Sequence, residues 1–201
     1  MKLKYYSLIL FLLLASINIW AQNVVRGPYL QTGTPTSIIV KWRTDVATSS
    51  RVWYGTNPNA LTNSAGFSFG SNTDHEVQLN GLNSNQKYYY AVADANGFLT
   101  TAGEDYAFKT APTTGTTQPF RAWILGDCGT GHDDARAVRD AYYGYVGNEH
   151  TDAVLMLGDN AYREGTDAQY QNAVFDNMYE DILQKSVLWS CPGNHEYYTA
   201  G

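Results

Sequence analysis

Hydrophobic and polar residues alternate in short runs through the first half of the chain. Five runs are rich in β-branched and aromatic residues, and clusters of Gly, Asn, Pro and Asp separate them as turns do: Ser37–Trp42, Arg51–Tyr54, Glu76–Leu79, Lys87–Ala93 and Tyr106–Lys109. Short strands at such intervals predict an all-β immunoglobulin-like sandwich over residues 22–110.

A tyrosine position refines this prediction. Tyr88 follows the Gly81-Leu82 pair at the spacing of the tyrosine corner of immunoglobulin-like sandwiches. This segment contains no cysteine pair, which favours the fibronectin-like version of the fold. Residues 111–119 are rich in Thr, Pro and Gly without apolar periodicity, and they are predicted to be a linker between domains.

The pattern changes after residue 119. Three compact apolar runs, Phe120–Leu125, Ala153–Leu157 and Val187–Trp189, alternate with segments of helical spacing. Strands that are apolar throughout are typical of a parallel sheet covered on both faces. Alternation of strand and helix therefore predicts an α/β domain over residues 120–201, with a parallel βαβαβ core.

Two helices are expected between these strands. The first is Asp133–Val146, with its apolar side at Ala135, Val138, Tyr142 and Tyr145. The second begins at Thr166, which forms a capping box with Gln169, and its apolar face is expected at Val174, Phe175, Met178, Ile182 and Leu183.

Composition excludes one class of partner. The net charge is −6 and the pI is about 5.0, whereas nucleic-acid binding depends on Lys and Arg that neutralise phosphates. We therefore expect no nucleic-acid partner.

The N-terminus has the layout of a secretory signal peptide over residues 1–21. Lys2 and Lys4 precede the apolar run from Leu8 to Ala15, and the small residue Ala21 follows. An uncleaved membrane anchor is the alternative, but Ser16 and Asn18 interrupt a run that would need about 20 mostly apolar residues. We expect a secreted or periplasmic protein without stable membrane association after cleavage.

The two cysteines, Cys128 and Cys191, leave two interpretations open. They are either buried small hydrophobic residues or a single disulfide in an oxidising compartment.

Polar residues recur at the ends of the three predicted strands of the second half. Asp127, Asp159 and Asn194 each follow a strand, and they are separated by 32 and 35 residues, close to one βαβ step. Strand carboxyl ends lie at one edge of a parallel sheet, where such folds bind ligands. Each residue alone is typical of a turn, but their regular spacing predicts a common site.

The residue types at this edge indicate a metal site. Two carboxylates, the Asn194 amide, the Tyr162 phenol and the His195 imidazole would gather there. Neighbouring carboxylates repel unless a cation or proton lies between them. Oxygen ligands suit hard cations, and two metals about 3.5–4 Å apart can hold a phosphoryl group.

These motifs resemble a known family. Gly126-Asp127-Cys128-Gly129, Gly158-Asp159-Asn160-Ala161-Tyr162 and Gly193-Asn194-His195-Glu196 are similar to the first three blocks of the calcineurin-like metallophosphoesterases, and Tyr162 resembles the purple acid phosphatase variant. Three N-terminal segments resemble that family's fibronectin-like domain: Pro28–Gln31, Val40–Trp42 and Tyr54–Gly55.

The resemblance implies a secreted acid phosphatase-like enzyme that hydrolyses phosphate monoesters by attack of a metal-bound hydroxide. Asp127 and Tyr162 would bind Fe(III), Asp159 would bridge both metals, and Asn194 would bind a divalent ion, Fe, Zn or Mn. His195 would be the catalytic residue that faces the phosphate.

The sequence departs from the family in one respect. The family has two further histidine blocks, and nothing in this chain replaces them, since His75, His132 and His150 lie elsewhere. We therefore expect a fragment with weak metal binding and little activity. The alternatives are a phosphodiesterase or nucleotidase of the same superfamily, or a non-catalytic secreted binding module with an incomplete metal site.

Overall fold

The computed structural model of the chain describes residues 22–176 and 178–198, and only the backbone of Ser68. The predicted signal peptide, residues 1–21, lies outside them. Eight strands of this part of the chain pair in one sheet: β1 Val24–Gln31, β2 Ser37–Gly55, β3 Asn63–Asn80, β4 Lys87–Ala93, β5 Ala107–Lys109, β6 Ala122–Leu125, β7 Ala153–Met156 and β8 Val187–Ser190. Their order is β5-β4-β2-β1-β8-β7-β6, with β3 also paired to β2.

The N-terminal half is built on the long hairpin of β2 and β3. The first part of β2 pairs with β1 and the second part with β4, while β3 accompanies it along both. Ser37–Trp42 and Arg51–Tyr54, predicted as two strands, are therefore parts of one strand, and register shifts between Arg43 and Ser50 mark the bend between them.

Side chains from both parts of β2 share one apolar core with the other N-terminal strands. Its most deeply buried members include Leu30, Val40, Trp42, Val52, Leu79, Tyr90 and Phe108. At one end of this core the Tyr88 hydroxyl accepts a hydrogen bond of 2.9 Å from the backbone N–H of Asn83, the geometry of a tyrosine corner. This half is thus sheet-rich and sandwich-like, and its fibronectin-like classification stays a prediction.

One strand joins the two halves of the chain. β1 pairs in parallel with β8, with Leu30 opposite Val187 and Gln31 opposite Leu188. The run Val24–Gln31 alternates too weakly to be recognised as a strand in the sequence, and a pairing 157 residues apart (Leu30 to Val187) leaves no local signal. The consequence is a continuous sheet that fixes the second half against the first.

The strands of the second half, β6, β7 and β8, pair in parallel. α1, Asp133–Val146, has the bounds that the sequence predicts. It packs through Ala135, Tyr142 and Tyr143, and the Tyr142 ring stacks on Trp123 with centroids 4.1 Å apart. The predicted apolar side was wrong at Val138 and Tyr145, which are 57% and 86% exposed, because the helix contacts the core along a stripe rotated toward Tyr143.

The second predicted helix is broken. Its capping box is present, since Gln169 N–H donates to Thr166 Oγ1 and Thr166 N–H donates to Gln169 Oε1. After α2, Asp167–Tyr170, the chain makes a π-helical turn over Gln171–Phe175, and the helix resumes as α3, Glu180–Leu183. The interruption comes at Asp176, whose backbone is extended and whose carboxylate accepts a hydrogen bond of 2.6 Å from the Gln171 side chain. The predicted apolar residues are nevertheless buried, in the apolar core that the second half of the chain forms around β6, β7 and β8.

Asp167 forms an ion-pair clamp between the two halves. Its carboxylate accepts hydrogen bonds of 2.9 Å from Arg26 on β1 and of 2.6 and 3.1 Å from Arg43 on β2. The Arg26 guanidinium also lies 4.9 Å from the centre of the Phe175 ring. Polar and aromatic contacts therefore reinforce the β1–β8 pairing. None of the helices among residues 22–176 and 178–198 is both long and apolar enough to cross a bilayer.

Candidate metal centre

The loops that follow β6 and β7 bring together three of the four predicted metal ligands. The Tyr162 hydroxyl lies 2.8 Å from Asp127 Oδ1 and 3.2 Å from Asp159 Oδ2, and it donates to these two carboxylates. A single phenolic oxygen thus stands between carboxylates that are 32 residues apart in sequence. The carboxyl edge of the parallel strands is where the sequence places this site.

Both aspartates have a left-handed backbone. Asp127 has φ +53° and Asp159 has φ +50°, a conformation that is uncommon for residues other than glycine and costs on the order of 1 kcal/mol or more. The two turns are tied together, since the N–H of Asp127 donates to the carbonyl of Gly158 at 3.1 Å. Equivalent turns at the ends of neighbouring strands therefore direct the two carboxylates to the same place.

Glycines allow the three loops to interlock. A Cβ atom on Gly129 would lie 2.2 Å from the carbonyl carbon of Asn160, and one on Gly193 would lie 2.2 Å from Asp159 Oδ1. Gly129 also accepts a hydrogen bond of 2.9 Å from the N–H of Tyr162. Gly129 and Gly193 are thus required for close approach of the loops that carry the ligands.

Asn194, the fourth predicted ligand, lies exposed in the loop after β8. Its two neighbours both contact Asp159: Gly193 packs against it, and the backbone N–H of His195 donates to Asp159 Oδ1 at 3.0 Å. The structure therefore places Asn194 beside Asp159. Among the described residues, no hydrogen bond from the Asn194 side chain to Asp127, Asp159 or Tyr162 fixes the orientation of its amide.

The imidazole of His195 has a defined position at the edge of the site. Its Nδ1 lies 2.5 Å from the carbonyl oxygen of Arg163, and its ring centre lies 4.6 Å from that of Tyr162. A carbonyl can only accept, so Nδ1 carries the hydrogen and donates it. This leaves Nε2 as the nitrogen that exchanges a proton with another group.

Glu196 is the residue that sequence reasoning missed. It is buried, at 6% exposure, and its carboxylate accepts hydrogen bonds from the backbone N–H groups of Asp159, Asn160, Ala161 and Gly193. Glutamate is seldom buried without such partners. Its place in the motif Gly193–Glu196 was visible in the sequence, but its burial was not.

The electrostatics of the site favour a bound cation. Desolvation and the hydrogen bonds to the Asp127 and Asp159 carboxylates raise the pKa of the Tyr162 hydroxyl well above its usual value. The hydroxyl proton of Tyr162 lies between two carboxylates. The negative charges of these carboxylates would also stabilise a cation at that position.

Cysteine is a poor candidate for a ligand here. Cys128 and Cys191 are both free, so the disulfide that the sequence left open does not form. Burial raises the pKa of the Cys128 thiol to about 11, and the thiolate that metals require is therefore disfavoured at neutral pH.

The donor set fits a hard metal ion. Carboxylate and phenol oxygens from Asp127, Asp159 and Tyr162 converge, with the Asn194 amide in the adjoining loop. Among the described residues, no group of three or more His, Cys, Asp and Glu side chains is arranged to hold a metal. The third oxygen of the group comes instead from tyrosine, which distinguishes this site from an all-carboxylate one.

Comparison with known families and proteins agrees with this arrangement. Residues 26–110 match the family model of the purple acid phosphatase N-terminal domain, and residues 120–201 match that of the calcineurin-like phosphoesterases. The human protein acid phosphatase type 7 is 29% identical over 177 residues, which cover 82% of this chain and 38% of that protein.

Two further proteins are similar over most of the chain. The phosphoenolpyruvate phosphatase of Allium cepa is 25% identical over 174 residues, covering 80% of this chain and 34% of that protein. The solved structure of PhoD superposes with a TM-score of 0.59 at 15% identity, covering 87% of this chain and 39% of that one. The chain thus spans less than two fifths of the length of these proteins.

Proposed function

Because this chain belongs to the calcineurin-like phosphoesterases and carries the N-terminal domain of the purple acid phosphatases, we propose that it is part of a two-metal phosphatase that hydrolyses phosphate monoesters. The activity is proposed for the whole protein, since the chain spans 38% of the human acid phosphatase type 7.

One observation carries the proposal: the Tyr162 hydroxyl is shared between the carboxylates of Asp127 and Asp159. Three oxygen donors from two strand-end loops meet there, and the repulsion between the two carboxylates would be relieved by a cation in place of the shared proton. We assign Asp127 and Tyr162 to the first metal, Fe(III), and Asp159 to both metals. Asn194 is assigned to the second, divalent metal, Fe, Zn or Mn.

When bound, such metals supply Lewis-acid charge that polarises a phosphoryl group and acidifies water. The chain's own residues supply the geometry. The backbone turns at Asp127 and Asp159 fix the direction of the carboxylates. A hydrogen bond from the backbone N–H of His195 fixes the position of Asp159 Oδ1. Preorganised groups of this kind need no rearrangement during the reaction.

His195 is proposed to act on the phosphate ester. Its Nδ1 is committed to the carbonyl of Arg163, so proton exchange with the ester is confined to Nε2. In the charged form of the ring, Nε2 would donate a hydrogen bond to the developing charge or a proton to the leaving oxygen. The same Nδ1 contact holds the ring against rotation, as an orienting partner does in other catalytic histidines.

The proposed localisation is secreted or periplasmic. It depends on the signal-peptide layout of residues 1–21. N-terminal sequencing of the exported protein tests it, and a mature N-terminus near Gln22 is the expected result.

Hydrolysis by the product of the complete gene tests the activity. With Fe(III) and Zn(II) supplied, we expect 4-nitrophenyl phosphate to be hydrolysed faster than bis(4-nitrophenyl) phosphate, and His195→Ala to lower kcat by about 10²–10⁴-fold. A preference for the diester would favour the phosphodiesterase alternative. Absence of both activities in a protein that contains two metals would contradict the proposal, whereas a folded protein that takes up fewer than two metals and lacks both activities would favour the binding-module alternative.

A further inference from the structure

The carboxylate of Glu196 occupies a ring of backbone N–H groups. Glu196 Oε2 accepts from Asp159 at 3.0 Å and from Gly193 at 2.6 Å, and Oε1 accepts from Asn160 at 2.8 Å and from Ala161 at 3.1 Å. The two oxygens of a carboxylate can together accept about four hydrogen bonds, so the four N–H groups match its acceptor capacity.

The four donors belong to two different loops. Asp159, Asn160 and Ala161 follow β7, whereas Gly193 follows β8. Without Glu196 the N–H groups of Asp159, Asn160 and Ala161 would be buried without a partner, which destabilises a folded protein. The carboxylate therefore holds together two loops that have no strand pairing of their own at this position.

The residues that Glu196 holds are those that carry proposed metal ligands. The backbone N–H of Asp159, whose backbone is left-handed, donates to Glu196. The backbone N–H of His195, the residue before Glu196, donates to Asp159 Oδ1. Asn194 is bounded by Gly193, which donates to Glu196, and by His195. Glu196 thus holds the backbone at Asp159 and at the residue that follows it, and it holds the residue that precedes Asn194.

We propose that Glu196 is the positioning residue of the metal centre: without touching the metals, it sets the orientation of the Asp159 carboxylate and the location of Asn194. This inference rests on the proposed function, and it assigns Glu196 a role through Asp159 and Asn194 rather than in the chemistry. Groups that orient ligands in this way typically change metal affinity by about 10–100-fold when they are removed.

The test compares Glu196→Gln with the unsubstituted protein, both made as the product of the complete gene. Glutamine keeps the length of the side chain but turns a donor toward the N–H groups and removes the charge. Mn²⁺ binding is measured by EPR titration. Phenolate bound to ferric iron absorbs visible light, so the absorption band expected from Fe(III) bound to Tyr162 is recorded as well. We expect Mn²⁺ affinity to fall at least about 10-fold and the band to shift or weaken.

The matched control is Glu149→Gln, which neutralises an exposed glutamate paired at 3.7 Å with Arg121, the residue just before β6, whereas Asp127 follows that strand. It is expected to leave Mn²⁺ affinity and the band unchanged. Urea unfolding of all three proteins separates the roles. If Glu196→Gln is less stable but retains the affinity and the band, Glu196 only supports the fold and the proposal is wrong.

Failure of the variant to fold does not end the test. Glu196→Asp keeps the charge but is one methylene shorter, so it is expected to fold, bind Mn²⁺ more weakly and shift the band. Unchanged affinity and band in a folded Glu196→Asp chain would also overturn the proposal. If the unsubstituted product of the complete gene binds neither Mn²⁺ nor Fe(III), the proposed metal centre itself is wrong, and that result is distinct from a failure of the Glu196 role.

Discussion

Asp167 joins the two halves of the chain, and its replacement by asparagine measures how strongly the ion-pair clamp holds them. The hydrogen bonds from Arg43 and Arg26 lower the pKa of the Asp167 carboxyl from 3.8 to about 2. At about 1.36 kcal/mol per pKa unit, this difference corresponds to at most about 2.4 kcal/mol. The Asp167 side chain is 63% exposed, so solvent screening reduces the expected contribution to about 1 kcal/mol.

The pH dependence of this contribution has a definite sign. A carboxyl whose pKa is lower in the folded chain adds stability that is complete above its unfolded pKa and is lost as the pH falls toward its folded pKa. For Asp167 the window runs from 3.8 down to about 2. About half of the contribution should be gone at pH 3.

Urea unfolding at pH 7 and pH 3 provides the measurement. We expect Asp167→Asn to lower the free energy of unfolding by about 1 kcal/mol at pH 7 and by about half as much at pH 3. Asp105→Asn is the control, since Asp105 lies 3.5 Å from Lys185 and its side chain is 84% exposed; it should change the free energy by less than about 0.5 kcal/mol. Equal losses for Asp167→Asn at the two pH values, or a loss no larger than that of the control, would refute the clamp.

Three further substitutions test other parts of the structure. Gly129→Ala forces a Cβ to within 2.2 Å of backbone atoms and should destabilise the chain by about 1–3 kcal/mol in urea unfolding, whereas the control Gly144→Ala, in an open helix position, should stabilise it by up to about 1 kcal/mol; equal effects would show that the loops do not interlock. Tyr88→Phe removes the hydrogen bond from Asn83 and should cost about 1 kcal/mol by the same assay, so an unchanged midpoint would contradict the tyrosine corner. Burial lowers the pKa of His75 below 6.5, so the stability of the chain should fall as the pH drops below 6.5, and His75→Gln should flatten that slope; an unaltered slope would show that His75 does not titrate there.

The sequence predicts the site better than it predicts the scaffold around it. Asp127, Asp159 and Tyr162 could be placed together because parallel strands end at one sheet edge, and their hydrogen bonds confirm the contact. The bounds of α1 and the capping box at Thr166 follow from local patterns that depend on few neighbours.

What could not be predicted depends on tertiary contacts. The parallel pairing of β1 with β8 joins segments more than 150 residues apart in sequence. The helix breaks at Asp176, although the apolar periodicity continues past that residue. Burial of Glu196 likewise follows from the convergence of two loops. The available signal in the sequence is that Glu196, a charged residue, belongs to the motif Gly193–Glu196. This signal marks Glu196 as a candidate for a role in the site but does not reveal its hydrogen-bond partners.

The central claim is that Asp127, Asp159 and Tyr162 form one oxygen-rich metal site, and the visible spectrum of the product of the complete gene with Fe(III) tests it most directly. Phenolate bound to ferric iron absorbs visible light, so added Fe(III) should produce a band that is lost in Tyr162→Phe. The matched control is Tyr197→Phe, which removes the hydroxyl of an exposed tyrosine three residues after Asn194. The band should be unchanged in this variant. A band that persists in Tyr162→Phe, or one that disappears in Tyr197→Phe instead, would contradict the assignment.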